Sequence, residues 1–238
     1  MVFYSNNFTF NKVYSGNKNI HLVSEDTDIL NEYGIPFNLN EDTNEITLSF
    51  CCANEDTPLE WTFDTIVDFL EWIITDDYCE FISEDNEDMI YFLKGTSYKK
   101  RFTNNMTGII DVTFQVLSPY GYKYYSKKVA KGETKFEIYN YSNVDNNYKP
   151  IITLSNISGN SISLNNTTTN KGSFYIENLT GADVIYIDNL MGTITDANGN
   201  SKLINSNRNW IELCKGYNIF LLSGSCDIEI EAYFPMMV

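Results

Sequence analysis

The chain has 238 residues, which suits two cores of ordinary size better than one. Its hydrophobic fraction of 43% and charged fraction of 20% are those of a globular protein, and abundant Asn, Thr, Ser, Ile and Tyr favour strands and turns over helices. The net charge of −16 argues against a nucleic-acid-binding surface, because such surfaces need clustered Lys and Arg.

The charge is divided unequally along the chain. Residues 1–120 contain 21 acidic and 6 basic residues, a balance of −15, whereas residues 121–238 contain 11 and 10, a balance of −1. The composition therefore changes near residue 120, which is typical of a domain boundary.

The first half contains one predicted helix, in the segment TFDTIVDFLEWIITDD. Its apolar residues recur at helical spacing, Asp68 and Glu71 fall on the opposite face, and Thr62 is a suitable N-cap. The strands predicted around it are residues 46–52, 78–83, 89–96 and 108–117. A sheet or split barrel covered by one helix fits this pattern.

The last of these strands ends at a marked boundary. Ile110, Val112, Phe114 and Val116 alternate with polar residues, and then SPYGY follows, in which Pro119 lacks the N–H needed in a sheet ladder. A polar, lysine-rich stretch comes next. The sequence predicts a first domain of residues 1–122, a linker of residues 123–130 and a second domain of residues 131–238.

The second half reads as strands and turns throughout. The predicted strands are residues 135–139, 151–154, 161–164, 173–177, 184–188, 202–204, 217–222 and 226–234. A spacing near ten residues, with turns such as SGN, NKG, TGAD and ANGN between the strands, predicts a β-sandwich.

The sequence offers no catalytic constellation. His21 is the single histidine and lies in the strand-like run HLV, and no nucleophile elbow, zinc-protease motif or phosphate loop occurs in its required context. The five cysteines include no CxxC pair. We expect a protein that is not an enzyme and needs no cofactor or metal. Neither a signal peptide nor a long apolar segment is present, so we expect synthesis in the cytoplasm and no membrane insertion.

Aromatic residues provide the candidate contact sites. Pro119, Tyr120, Tyr122 and Tyr124 belong either to an exposed protein-contact patch or to a cap over the core beneath the domain exit. Among the three tryptophans, Trp61 and Trp72 flank the helix and are predicted to be packed. Trp210 is the candidate for stacking on a glycan ring.

Three stretches resemble one known family. They are FDTIVDFLEWIITDDYCEFISEDNEDMIYFLKG, the strand exit VTFQVLSPYGYKYYS, and VIYIDNLMGTITDANGNSKLINSNRNWIELCKGYNIFLLSGSCDIEIEAYFP. In their order and spacing they resemble the distal tail proteins of tailed bacteriophages. One departure is the early hairpin, where many members have a Gly-rich, Arg-containing turn and this chain has NEYGIPFNLNEDTNE.

The resemblance implies an architecture and a role. The fold would be mainly β, with an N-terminal ring-forming β-barrel or sandwich domain carrying one helix and a C-terminal galectin-like β-sandwich. The protein would be a structural virion component that forms a hexameric ring between the tail tube protein and the tail-tip or baseplate hub proteins. Genomic DNA would pass through that ring without specific binding. A carbohydrate-binding adhesin module of a tail or surface structure is the alternative.

Overall fold

The computed structural model describes residues 4–24, 44–54, 57–103, 105–144, 147–169, 171–181 and 183–237. They form two compact units, the first ending at Tyr122 and the second beginning at Lys123. Each unit is built on an antiparallel sheet, so the prediction of a mainly β fold is confirmed. Most of the segment NEYGIPFNLNEDTNE, where the chain departs from the family that it resembles, lies outside the described residues.

One sheet contains all the described strands of the first unit. In chain order they are β1 (Tyr4–Asn6), β2 (Phe8–Phe10), β3 (Val13–Tyr14), β4 (Ile20–Ser24), β5 (Glu45–Asn54), β6 (Thr57–Pro58), β7 (Cys79–Ser83), β8 (Tyr91–Phe102) and β9 (Gly108–Val116). Their order across the sheet is β1-β4-β5-β9-β8-β7-β2-β3, with β6 beside β5.

This sheet curls on itself around an aromatic core. Strands β5 and β2 are separated by three others, which in a flat sheet would place them roughly 19 Å apart. The rings of Phe8 on β2 and Phe50 on β5 nevertheless lie 5.2 Å apart between centroids, and Phe10 contacts Phe114 of β9 at 6.1 Å. The barrel or sandwich expected for the first domain is thus closed by phenylalanines.

Helix α1 (Phe63–Ile73) packs into the same core. The Thr62 side chain accepts a hydrogen bond from the Thr65 N–H at 3.1 Å, so the predicted N-cap is confirmed. The helix buries Ile66, Phe69 and Ile73. Its last turn approaches β8 so closely that a Cβ on Gly95 would lie 2.2 Å from the Ile73 carbonyl oxygen, so only glycine fits there.

The second unit is a sandwich made from one continuous sheet. Its strands are β10 (Gly121–Val129), β11 (Lys135–Asn140), β12 (Ile151–Asn166), β13 (Phe174–Glu177), β14 (Ile185–Asp188), β15 (Thr193–Asp196) and β16 (Gly216–Met236). Strands β12 and β16 are long enough to cross from one layer into the other. The first part of β12 pairs with β14 and the end of β16, and its last part pairs with β13 and the start of β16.

The change of layer occurs at an irregular corner. The β12–β16 register shifts between Ser155 and Ser163, where Asn156 and Gly159 have positive φ angles of 49° and 90°. Opposite them Gly224 has a φ of 100°, and a Cβ there would lie 2.7 Å from the Ser161 carbonyl oxygen. Each predicted pair of short strands, 151–154 with 161–164 and 217–222 with 226–234, is therefore one bent strand.

Two predicted segments differ from the structure. Residues 123–130, predicted as a linker, lie almost entirely in strand β10, which pairs with β16. The Ser126 and Lys128 side chains on this edge strand contact Glu229 of β16. Lysine is common on edge strands, where it discourages further pairing, so a lysine-rich stretch need not be a linker. The strand predicted at 202–204 is instead part of a 3₁₀ turn, Leu203–Asn205, in which the Asn205 N–H bonds to the Lys202 carbonyl.

Candidate functional site

The exit residues of the first unit are tied to its own core. The Ser118 hydroxyl accepts a hydrogen bond from the Tyr120 N–H at 3.2 Å and lies 2.8 Å from the Tyr122 hydroxyl. The Tyr122 ring packs edge-on against Phe92 at 5.4 Å, and its backbone pairs with Ile90. Tyr122 is therefore held by contacts with Ile90 and Phe92 of the first unit, while Pro119 is exposed on the turn.

Tyr124 lies in the second unit, on the outer face of β10. Its ring is 42% exposed, packs 5.1 Å from Tyr233, and its hydroxyl donates to the Glu231 carboxylate at 2.6 Å. That hydrogen bond, helped by burial, raises the pKa of the Tyr124 hydroxyl. The predicted contact residues thus divide between two environments, and their role as a protein-contact patch stays a prediction.

Trp210, the predicted glycan platform, packs inward. It is half-buried against the core of the second unit, and a Cβ on Gly192 would lie 3.4 Å from its ring. The turn at Gly192 therefore lies against one edge of the indole, and contact of Trp210 with a glycan stays a prediction.

A groove lined by tyrosines lies on the second unit. It lies between β10, an edge strand of one layer, and β11, an edge strand of the other, and both strands pair with β16. The groove has a volume of about 560 Å³ and is open to solvent, and it is lined by Tyr125, Lys127, Glu137, Tyr139, Tyr141 and Tyr217. We call it the tyrosine groove.

Its four rings form a continuous row. Tyr125 lies 6.0 Å from Tyr141, Tyr141 lies 4.8 Å from Tyr139, and Tyr139 lies 4.8 Å from Tyr217 between ring centroids. Edge-to-face geometry of this kind is favourable for aromatic pairs and holds each ring in place. The Lys123 ammonium lies 5.4 Å from the centre of the Tyr141 ring and adds a cation–π contact.

The row is anchored at one end and exposed at the other. Tyr125 packs against Phe234 at 5.8 Å, and burial, together with the nearby Tyr141, raises the pKa of its hydroxyl. In contrast, Tyr139, Tyr141 and Tyr217 are 38%, 42% and 66% exposed. Their phenol hydroxyls can both donate and accept hydrogen bonds.

Sequence analysis missed this groove. Tyr139 and Tyr141 alternate with buried residues in FEIYNY, which marks them as facing outward from β11. Tyr217 comes almost eighty positions later and becomes their neighbour only because β11 pairs with the start of β16, with Tyr139 opposite Tyr217. Period-two alternation could identify each residue as exposed, but the pairing of distant strands brings them together.

The described surface of the first unit carries charged clusters. Asp64, Asp68 and Glu71 form an exposed acidic stripe on α1. The end of β8 from Thr96 to Arg101 is exposed and basic, which is unusual in this acidic half. There the Arg101 guanidinium donates to both Asp111 carboxylate oxygens, at 2.6 and 2.7 Å.

Burial of Asp111 opposes its ionisation, but hydrogen bonds from Arg101 and Ser49 outweigh it and hold the pKa of that carboxyl below its ordinary value. Within the described ranges no three His, Cys, Asp or Glu side chains are grouped as a metal site would require. Nor is any helix in those ranges long and apolar enough to cross a bilayer.

The second half of the chain matches a known family. Residues 120–232 match the model of the family described as phage tail C-terminal domain. No curated protein matches the sequence. The family match begins within two residues of the boundary between the two units.

The whole fold is similar to that of a solved phage protein. The crystal structure of Dit (gp 19.1) from phage SPP1, described as a paradigm of the hub adsorption apparatus in phages that infect Gram-positive bacteria, aligns with a TM-score of 0.60 at 10% identity. The alignment covers 96% of this chain and 99% of that one. The resemblance to phage distal tail proteins is confirmed at the level of the fold.

Two structures of the phage p2 baseplate in its activated conformation also align. The form with strontium has a TM-score of 0.44 at 11% identity over 79% of each chain. The form with calcium has a TM-score of 0.45 at 11% identity over 78% of each chain. Both scores are too low to carry an argument about the fold.

Proposed function

We propose that the chain is a structural subunit of a phage tail, located at the distal end of the tail tube. The observation that carries this proposal is the structural alignment with the SPP1 Dit protein, which covers nearly the full length of both proteins. The match of residues 120–232 to the phage tail C-terminal domain family supports it. Its site would be the virion, after synthesis in the host cytoplasm.

The subunit would act as a ring. Six copies, each contributing the first unit, would close around the tail axis and join the tail tube protein to the tail-tip or baseplate hub proteins, because repeated head-to-tail contacts close into cyclic assemblies. The acidic balance of residues 1–120 supports a channel through which DNA passes without binding, since like charges repel the phosphate backbone.

One observation favours a second function beside the first. The tyrosine groove offers exposed aromatic rings on the second unit, as a carbohydrate-binding adhesin module would require. An enzymatic role has no comparable support, because the tyrosine groove offers no paired carboxylates.

The proposal is tested on virions. Antibodies raised against the chain should label the distal end of the tail in negatively stained particles of the phage that encodes it, and mass spectrometry of purified virions should detect the chain at about six copies per particle. Labelling of capsids alone, or absence of the chain from purified virions, would contradict the proposal.

A further inference from the structure

We propose that the tyrosine groove of the second unit binds a neutral saccharide of more than one sugar residue. This goes beyond the structural role, because it gives the tail subunit a ligand of its own. It assigns the carbohydrate contact to Tyr139, Tyr141 and Tyr217 instead of Trp210.

The exposure of the tyrosines is the first reason. Folding alone gives no cause to keep Tyr217 66% exposed beside two other exposed tyrosines, because a single exposed aromatic is ordinary but a contiguous aromatic patch marks a contact surface. The rings are also fixed in advance by their mutual contacts at 4.8 Å. A ligand that stacks on them would therefore not have to order them first.

The shape of the groove is the second reason. Its row of four rings is longer than a single six-membered sugar ring, so it suits an oligosaccharide. Its volume of about 560 Å³ falls within the range of small-ligand sites, roughly 300–1,000 Å³. The open form leaves both ends of a chain free to continue into solvent.

The polar groups of the groove select the class of ligand. Lys127 and Glu137 in the lining balance each other, and the Lys123 ammonium lies over the Tyr141 ring, so the described lining of the groove has no cluster of free cations that would favour an anionic polymer. Glu137 can only accept hydrogen bonds, Lys127 can only donate them, and the phenols can do both. Sugar hydroxyls both donate and accept, so they can satisfy all three kinds of group.

A proline-rich peptide is the competing occupant, since aromatic-lined grooves also bind extended proline-rich segments. Proline lacks a backbone N–H, so such a segment supplies mainly carbonyl acceptors and few donors for Glu137. The complement of donors and acceptors therefore favours the saccharide, and the experiment includes the peptide as a separate arm.

The test uses the full chain and saturation-transfer NMR, followed by titration, with maltotriose, cellotriose and chitotriose as probes and a proline-rich decapeptide as the competing ligand. At least one trisaccharide should bind with a dissociation constant of about 1 mM or tighter. Tyr217→Ala and the double variant Tyr139→Ala/Tyr217→Ala should each weaken it by tenfold or more. Tyr186→Ala, which removes a 45% exposed tyrosine from strand β14, is the matched control and should bind like the unaltered chain.

Several results would overturn the proposal. They are no binding of any of the three trisaccharides, binding of the peptide alone, or saccharide binding that survives Tyr217→Ala and is lost in Trp210→Phe. Tyr217 is so exposed that its removal should leave the melting temperature nearly unchanged, which keeps the test valid even if the double variant unfolds. Particle mass is measured on the same samples. Rings that do not bind saccharide would contradict this inference alone, and a monomer that binds saccharide would contradict only the proposed ring.

Discussion

The two units of the chain are both built mainly from β-strands, but their surfaces differ in charge and in aromatic content. The first wraps a curled sheet around phenylalanines and a helix and exposes charge, with 21 acidic against 6 basic residues up to position 120. The second is close to neutral and exposes a row of tyrosines between two edge strands. Under the proposed function, the acidic surface of the first unit would keep DNA from adhering, and the aromatic surface of the second unit would make contacts.

The largest expected effect comes from separating the units. A fragment of residues 1–122 should retain assembly, while a fragment of residues 120–238 should fold as a monomer, because the boundary lies between Tyr122 and Lys123. Light scattering and circular dichroism of the two fragments measure this. Assembly by the second fragment and not the first would reverse the assigned roles.

A third fragment sharpens the same comparison. Residues 131–238 lack strand β10, and with it the Tyr125 ring that packs on Phe234. We expect this shorter fragment to be markedly less stable than residues 120–238, since β16 loses a paired neighbour. Equal melting temperatures would mean that β10 behaves as a linker.

Gly95→Ala should destabilise only the first unit. The new Cβ would lie 2.2 Å from the Ile73 carbonyl oxygen, so the last turn of α1 must move away from β8, at a cost of about 2–3 kcal/mol. In the second unit Gly181→Ala is the control, because its Cβ would lie 3.2 Å from the Ile157 carbonyl oxygen and should cost about 1 kcal/mol or less. Urea unfolding followed by tryptophan fluorescence compares them, and equal losses would refute the close-approach explanation.

Asp111→Asn should cost about 1–2 kcal/mol at neutral pH, because the amide keeps only one acceptor oxygen for Arg101 and loses the negative charge that pairs with the guanidinium. The folded pKa of Asp111 is lowered, so its stabilising effect is complete above the unfolded value of about 3.9 and disappears as pH falls through the folded value. Denaturation curves of the two proteins should therefore converge in acid. Asp68→Asn, on the exposed face of α1, is the control and should change stability by less than about 0.5 kcal/mol.

The smallest expected effect is that of salt. With a balance of −15 on residues 1–120, neighbouring copies repel each other, and the Debye length falls from about 30 Å at 0.01 M to about 8 Å at 0.15 M. Assembly should therefore strengthen a few-fold over that range, as sedimentation can measure. Weaker assembly at 0.15 M, or retention of DNA that depends on salt, would contradict the repulsive role given to the acidic surface.

The sequence predicted those elements that depend on interactions between residues close together in the chain. The α1 face and its Thr62 cap were predicted because helical periodicity and capping involve residues a few positions apart. Strand β9 was predicted because its alternation is strict. Strand β10 was missed because an edge strand has no buried partner on its outer side and its lysines resemble those of a loop.

The tyrosine groove, in contrast, depends on contacts between residues far apart in the sequence. Pairing of β11 with the start of β16 places Tyr139 opposite Tyr217, and no pattern within a few residues encodes that register. For the same reason the corner at Gly224, which joins two predicted strands into one, became visible only in three dimensions. Trp210 was a candidate by residue type, and only the structure shows that it packs partly buried beside the turn at Gly192, so its contact with a glycan stays a prediction.

Electron microscopy of the purified full chain tests the central claim most directly. At micromolar concentration, negatively stained particles should be rings, and their class averages should show sixfold symmetry, with a mass in solution six times that of the chain. A monodisperse monomer at every concentration, with no rings on the grid, would contradict the account of this chain as the ring subunit of a phage tail.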